Sequence, residues 1–576
     1  MRGRGALILL GILAAWPAGA AEAANDPEIK IHAPAQWAAG ASFPVILDAR
    51  SETGAELRLT LRGWDAAGNI HVITRRAALP PVTPVRLELT SPAQHYTLQY
   101  AGGNVSDQRP QHFYNFSEAQ LDGAAPAPLA CLNSFMMGDF GALDSGQKRP
   151  GGFAYAVAAD DLPGRWQSYA NLTGVLVMEP RAAAALRPDQ RGAVARWARW
   201  FGGRIWLAGD GAAGAAASLG LEKAAGERSA ALDSRLEVYP AGNGWVFLQR
   251  EADAATLARH APWAAPSIPD AAPYARARQV NPLAAYFPKR PRPGVKIADP
   301  SGAGLFETLG GMPIGIIIGS LLLLGLILGP LNYWFIRRRR NSLLFFITTP
   351  LIALAGTAVI VAGTFLSEGL DGEYNQFAVL ARDAASGEAM LFDLRAVRPG
   401  LFAASPSFSG ESLALPLRND AGELHSDLGG GLGLVSGWLK PRFPSGFLLV
   451  QPATSRLNLA LEREGGSWYA RNGLGFAVKR MAARFPDGSF GLAEDIAPGE
   501  RKKLRPDEQN GEGEGGLPDL YLRARRLADD QPAFSGVTLA AECAGLPYLQ
   551  DGGMNSERLG GEYFFLAVGD PGGLEP

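Results

Sequence analysis

The chain has 576 residues, room for three or four domains at about 100–200 residues each. Hydrophobic residues make up 47 % and charged residues only 19 %, which supplies cores and leaves material for membrane segments, while a net charge of −2 gives no general pull toward nucleic acid. Two cysteines exclude a disulfide framework and a Cys-rich zinc site, and the six histidines never fall at metal-binding spacings. Abundant Ala, Gly and Pro, without a repeating period, match the bias of a high-GC bacterial genome.

Residues 1–20 have the layout of a signal peptide. Arg2 and Arg4 precede an apolar run from Ala6 to Trp16, Pro17 breaks it, and Ala18-Gly19-Ala20 gives a small-x-small cleavage pattern. The alternative is an uncleaved anchor; both leave the following residues outside the cytoplasm. Residues 27–120 then alternate apolar and polar in short runs such as Glu56-Leu57-Arg58-Leu59-Thr60-Leu61 and Arg86-Leu87-Glu88-Leu89. Alternation at this spacing predicts a β-sandwich of roughly seven strands, with Trp64 in its core.

Residues 126–262 change character. Leu129-Ala130-Cys131-Leu132, residues 154–158 and residues 172–178 predict strands. Pro188 opens a helical pattern carried by Val194, Trp197, Ala198 and Phe201, which Gly202-Gly203 ends before the strand Arg204-Ile205-Trp206-Leu207-Ala208. Strands alternating with helices predict a parallel sheet covered on both faces. The stretches Asp161-Leu162-Pro163, Trp166, Tyr169, Gln190, Trp197-Ala198 and residues 202–207 resemble the class I glutamine amidotransferase-like domains of bacterial membrane proteins. Active members carry a cysteine in a Gly-x-Cys-x-Gly elbow, where the turn exposes the sulfur, with a histidine and a glutamate later. Here the matching strand runs into Ala208-Gly209-Asp210-Gly211-Ala212, with no cysteine, and His260 has no glutamate two residues on. The resemblance therefore implies a catalytically degenerate domain. Gly209, Asp210 and Gly211 form either a weak site for an anion or carboxylate, offered by backbone N–H groups, or simply a tight turn.

Residues 263–311 show no clear period and are expected to be a linker. Its basic groups Lys289, Arg290, Arg292 and Lys296 are either solvated or in touch with lipid headgroups. Residues 312–336 and 343–366 are uncharged runs, each long enough to cross a bilayer. Arg337, Arg338, Arg339 and Arg340 lie in the tight connection, which predicts a two-helix transmembrane hairpin within 312–366 with its turn in the cytoplasm. Gly315, Gly319, Gly325 and Gly329 offer small faces for helix packing, and Thr348 and Thr349 are available to backbone groups freed by Pro330 and Pro350. The absence of ionisable side chains from both runs argues against an ion path.

Residues 374–576 again predict strands, forming one or two β-rich units on the periplasmic side. The acidic, Gly-rich loop 507–519 lacks calcium-loop spacing. Cys131 and Cys543 either bridge the amidotransferase-like domain to the last domain or stay as thiols, Cys131 lying in an apolar strand.

The expected fold class is multidomain α/β plus all-β, comprising an N-terminal β-sandwich, a glutamine amidotransferase-like α/β domain, a two-helix transmembrane hairpin and a C-terminal β-rich domain. The expected place is the bacterial inner membrane, with both large parts in the periplasm. No metal or cofactor is called for. The partners expected are the lipid bilayer and another membrane protein. Three functions compete: a non-catalytic binding or scaffolding subunit of an assembly for transport or envelope maintenance; a hydrolase or transferase using, for example, Asp210 with a distant histidine; and a sensor that signals through a partner.

Overall fold

The computed structural model describes residues 27–31, 43–64, 69–91, 95–102, 111–113, 129–131, 154–156, 159, 162–170, 175–222, 230–233, 236–251, 305–306, 309, 314–339, 343–368, 372–384, 386–400, 405–417, 422–454, 459–485, 489–506, 537–546, 549, 552–554 and 556–568. The signal segment, most of 263–311, the loop 507–519, His260 and Arg340 lie outside them, as does the side chain of Trp64. The described fold is mixed α/β, mostly strand, with few helices, two of them long and apolar.

Two sheets enclose the N-terminal core. Strands Glu28–Ile31, Phe43–Arg50 and Val85–Ser91 form one antiparallel sheet. Opposite, Ile70–Leu79, Ala55–Trp64, His95–Gly102 and Gln111–Phe113 pair antiparallel. Val45, Leu47 and Ala49, then Leu57, Leu59 and Leu61, then Leu87 and Leu89 are all buried, the period of two that the alternation requires. The second sheet does not end with the N-terminal region. Strand Glu423–Asp427 pairs in parallel with Ile70–Leu79, and Leu432–Ser436 and Ser407–Phe408 extend the sheet beyond it. Three strands from beyond residue 400 thus complete a sheet begun before residue 120, and Arg62 and Glu423 form an ion pair across the join.

In the α/β region, strands Leu129–Cys131, Ala154–Ala156, Val175–Met178, Arg204–Ala208 and Gly244–Gln249 lie parallel. Leu236–Ala241 and Ala230–Asp233 close one edge antiparallel. The helices are α1 (Pro180–Ala185), α2 (Pro188–Phe201) and α3 (Ala212–Ser218). Pro188 stands in the first turn of α2, where its missing N–H leaves no bond unmade. Gly202 ends α2 in the left-handed conformation, at φ 71°. Strand Gly244–Gln249 comes so close to this helix end that a Cβ at Gly244 would collide with the carbonyl oxygens of Gly203 and Ala198.

After the membrane-type helices, a nine-stranded sheet is built around Glu388–Arg398, Gly372–Asp383 and Ser556–Val568. The last two run parallel, although more than 170 residues separate them, and the other pairings are antiparallel. One face of this sheet, with Phe377, Val379, Phe392 and Phe564, belongs to the same hydrophobic core as Trp197 and Phe201 of α2 and Leu57 to Leu61 of the N-terminal sheet. Leu305 and Leu309, inside the stretch expected to be a linker, are buried in that core, and Asn375 Nδ2 donates to the Leu305 carbonyl (2.8 Å).

The apolar runs form α4 (Ile314–Leu326), a wide π-helical turn (Ile327–Leu331), α5 (Asn332–Arg339) and α6 (Leu344–Glu368). The wide turn contains Pro330, whose ring cannot fit the regular bonding register. Leu322, Phe346, Leu354 and Val359 are more than 70 % exposed. Both helices are long and apolar enough to cross a membrane.

Candidate functional site

The turn after strand Arg204–Ala208 holds Gly209, Asp210 and Gly211, the weak site named from the sequence. Gly209 (φ 117°) and Gly211 (φ 89°) adopt backbone angles that only glycine tolerates well. Gly209 N–H donates to the Gln249 carbonyl (2.9 Å), and Ala212 N–H to the Gly209 carbonyl (3.2 Å). These amides already serve the chain's own backbone, and α3 has only seven residues. The tight-turn alternative accounts for the geometry. Asp210 is exposed, and its carboxylate has no hydrogen bond or ion pair among the described residues.

The stretch that carried the resemblance instead does mechanical work at a seam between the N-terminal, α/β and C-terminal regions. Trp166–Tyr169 form one turn of 3-10 helix. Trp166 stacks on Phe201 of α2 (5.2 Å between ring centroids), and Tyr169 donates to the Pro163 carbonyl (2.9 Å). Gln190, buried, accepts from Arg187 N–H at the start of α2 (2.9 Å) and donates to the carbonyls of Ala159 and Leu162 (2.7 and 2.8 Å). It therefore caps the helix and pins the stretch before the 3-10 turn.

On one side of the seam lies Glu88 of the N-terminal sandwich. Its carboxylate accepts from Gly164 N–H (2.8 Å), Arg165 N–H (3.2 Å) and Ser168 Oγ (2.9 Å). Burial pushes this carboxyl above its ordinary pKa, outweighing the three donors and the Arg165 charge that favour ionisation. Arg75 donates to the Glu88 carbonyl (2.7 Å), and burial holds its guanidinium below its ordinary pKa. On the other side, Arg165 donates to the Gly410 carbonyl (2.7 Å) and Trp166 Nε1 to the Glu411 carbonyl (3.1 Å). Arg199 of α2 reaches Glu388 (2.8 Å) and Asp383 (3.6 Å). A cavity of about 40 Å³ lies at this meeting point, its wall mostly apolar, with Ile73, Leu413 and Leu428, and with His71, Arg165 and Ser426 as polar members. That space suits a few water molecules.

In the hairpin, Asn332 is buried between the helices. Its Nδ2 donates to Thr349 Oγ1 (3.0 Å), and its Oδ1 accepts from Thr348 Oγ1 (2.9 Å). The two threonines therefore bond a side chain, rather than only the backbone groups freed by the prolines. Arg337, Arg338 and Arg339 are exposed in the last turn of α5. A Cβ built on Gly315, Gly319, Gly325 or Gly329 would meet nothing within 4 Å; within the hairpin, Gly356 packs close, against Leu324.

Of the two alternatives for the cysteines, the described residues bear on Cys543. Cys543 is a free thiol, fully buried in strand Val537–Cys543, and burial together with the adjacent Glu542 pushes its pKa up to about 12. Cys131 has its backbone in the parallel sheet, and its side chain lies outside the described residues.

Several structurally important residues escaped the sequence analysis. Glu88 occupies a polar phase of an alternating strand and gives no sign that another region covers it. Asn332 does carry a signal, since a lone amide within an apolar run needs a partner. Asp393 and Arg395, both 0 % exposed, sit two apart on one strand face. Arg395 Nε donates to Asp393 Oδ2 (2.8 Å), and Gln376 to Asp393 Oδ1 (2.8 Å). Tyr563 donates to Gln376 Oε1 (3.2 Å).

No family model and no curated protein matches the chain. Among solved structures, the yeast delta-COP-I mu-homology domain complexed with a Dsl1 WxWxV peptide aligns at 8 % identity over 34 % of this chain and 95 % of that one. The TM-score is 0.18, so this likeness carries no argument about fold or function.

Proposed function

We propose that the chain is a non-catalytic membrane protein of the bacterial envelope, a binding or scaffolding subunit whose folded mass faces the periplasm. It works inside a larger assembly, for transport or envelope maintenance. One observation carries the anchoring: strand Glu423–Asp427, after the hairpin, is hydrogen-bonded to strand Ile70–Leu79, before it. Paired strands share a compartment, so the chain between them crosses a membrane an even number of times. A two-helix hairpin meets that condition. The charge bias of Arg337, Arg338 and Arg339 puts the turn inside and the folded mass outside.

Two further points support a binding role. Asp210, at the nucleophile position of the amidotransferase-like region, has no described side chain bonded to it as an acid or base. The stretch around Trp166 and Tyr169 is spent on docking the regions together. The test is purification of the intact chain in mild detergent after crosslinking in whole cells. Recovery of a defined membrane partner is expected; a clean monomer without partner or ligand would overturn the scaffolding role. A periplasm-active reporter fused after residue 400 is expected to be active, and activity only in the cytoplasm would reverse the orientation. An amide hydrolysis activity lost in Asp210→Ala would replace this reading with the enzymatic one.

A further inference from the structure

We infer that the outward side of α5 is a binding site for anionic phospholipid headgroups, which goes beyond the proposed anchoring and rests on the hairpin spanning a bilayer. This helix has a buried stripe and an exposed surface. Asn332 and Ile336, four residues apart, are buried, Asn332 bonding the threonines of α6. Tyr333, Trp334 and Phe335 are 61 %, 59 % and 43 % exposed, Trp334 and Arg338 lie opposite the buried pair, and Arg337, Arg338 and Arg339 are all exposed at the end of the helix.

The aromatic and basic groups are matched. The Arg338 guanidinium lies 5.5 Å from the centre of the Trp334 ring, and that of Arg339 lies 5.4 Å from the Phe335 ring. Each stack spans one helical turn and draws the charge back toward the apolar span, where ring and guanidinium meet the lipid interface together. None of the three arginines has an ion pair or hydrogen bond among the described residues. Three positive charges thus stand beside a membrane span without a carboxylate to neutralise them. The anion at that depth is lipid phosphate, whose oxygens fit the guanidinium fork. A zwitterionic headgroup brings its own ammonium to its phosphate, whereas phosphatidylglycerol leaves the negative charge open. The site therefore selects net-anionic lipids.

The test uses the full chain in mild detergent, titrated with phosphatidylglycerol or phosphatidylcholine of identical acyl chains, with bound lipids counted by native mass spectrometry. Phosphatidylglycerol is expected to bind at least about tenfold more tightly. Arg338→Gln and Arg339→Gln are each expected to cost about fivefold, the factor that ~1 kcal/mol per basic residue represents. The double Arg338→Lys/Arg339→Lys variant keeps the charge but loses the guanidinium fork and stacks, and is expected to keep the preference for the anionic lipid at weaker affinity. Equal affinity for the two lipids, a preference untouched by the glutamine variants, or its loss in the lysine variant would each overturn the inference. Alkaline carbonate washing of membranes separates the two layers of argument. Release of the chain would overturn the spanning reading and this one with it, while retention with equal lipid affinities would sink the headgroup site alone.

Discussion

The helical hairpin and the strand-built body are held together by opposite means. In the hairpin the helices satisfy their own backbone groups, their apolar side chains face outward, and the cross-helix polar contact of Asn332 with Thr348 and Thr349 is neutral. In the body, strands from distant parts of the chain complete each other's sheets, and the central sheet buries a charged pair, Asp393 with Arg395. A helix needs only its neighbours in sequence to bond its backbone, whereas a strand needs a partner from elsewhere. The body can therefore fold only as a whole, and the hairpin tolerates loss of any one contact better.

The largest expected effect lies in the sheet. Arg395→Met leaves the Asp393 carboxylate buried without its cation and should cost about 3–5 kcal/mol of stability. Pairing it with Asp393→Leu should recover most of that loss in chemical denaturation, because no charge then remains to desolvate. A small single-variant effect would erase the contrast with the hairpin.

Next comes the seam. Glu88→Ala removes the acceptor for Gly164 N–H, Arg165 N–H and Ser168 Oγ, and should cost about 1–3 kcal/mol, read as a lower denaturation midpoint. The pH dependence sharpens this prediction. The folded-state pKa of Glu88 is raised, so the folded protein holds that proton more tightly than the unfolded chain does. Its contribution to stability is fully present below the unfolded value of roughly 4.3 and is lost as pH rises through the folded value. Glu88→Gln should lack this slope when its melting curves are compared with the wild type across that window.

Asn332→Leu should have a smaller effect, about 1 kcal/mol, confined to hairpin association and leaving the body's melting unchanged. A shift in the body's midpoint would show the two regions to be more tightly coupled than their contacts imply. The smallest effect concerns Cys543, whose thiol stays protonated at neutral pH with its pKa near 12. Alkylating reagents should label it only after unfolding, and a mass spectrum without reductant should show no link to Cys131.

What the sequence determined by itself is whatever depends on neighbours along the chain. The uncharged runs and the arginines between them specify the hairpin, because length and polarity decide whether a helix suits lipid. The alternation of Leu57, Leu59 and Leu61 specifies a strand with one buried face, and Pro188 with Gly202 marks both ends of a helix. Tertiary structure alone decided which strands meet. Nothing local to Glu423–Asp427 says that it joins Ile70–Leu79, since the alternation fixes a strand's buried face but not its partner. The same holds for the candidate site. The missing cysteine and the glycines flanking Asp210 were legible, but the seam around Glu88, Arg165 and Trp166 was not. Glu88 and Arg165 look like ordinary surface polar positions until two other regions close over them, and burial belongs to the assembled fold rather than to any stretch of chain.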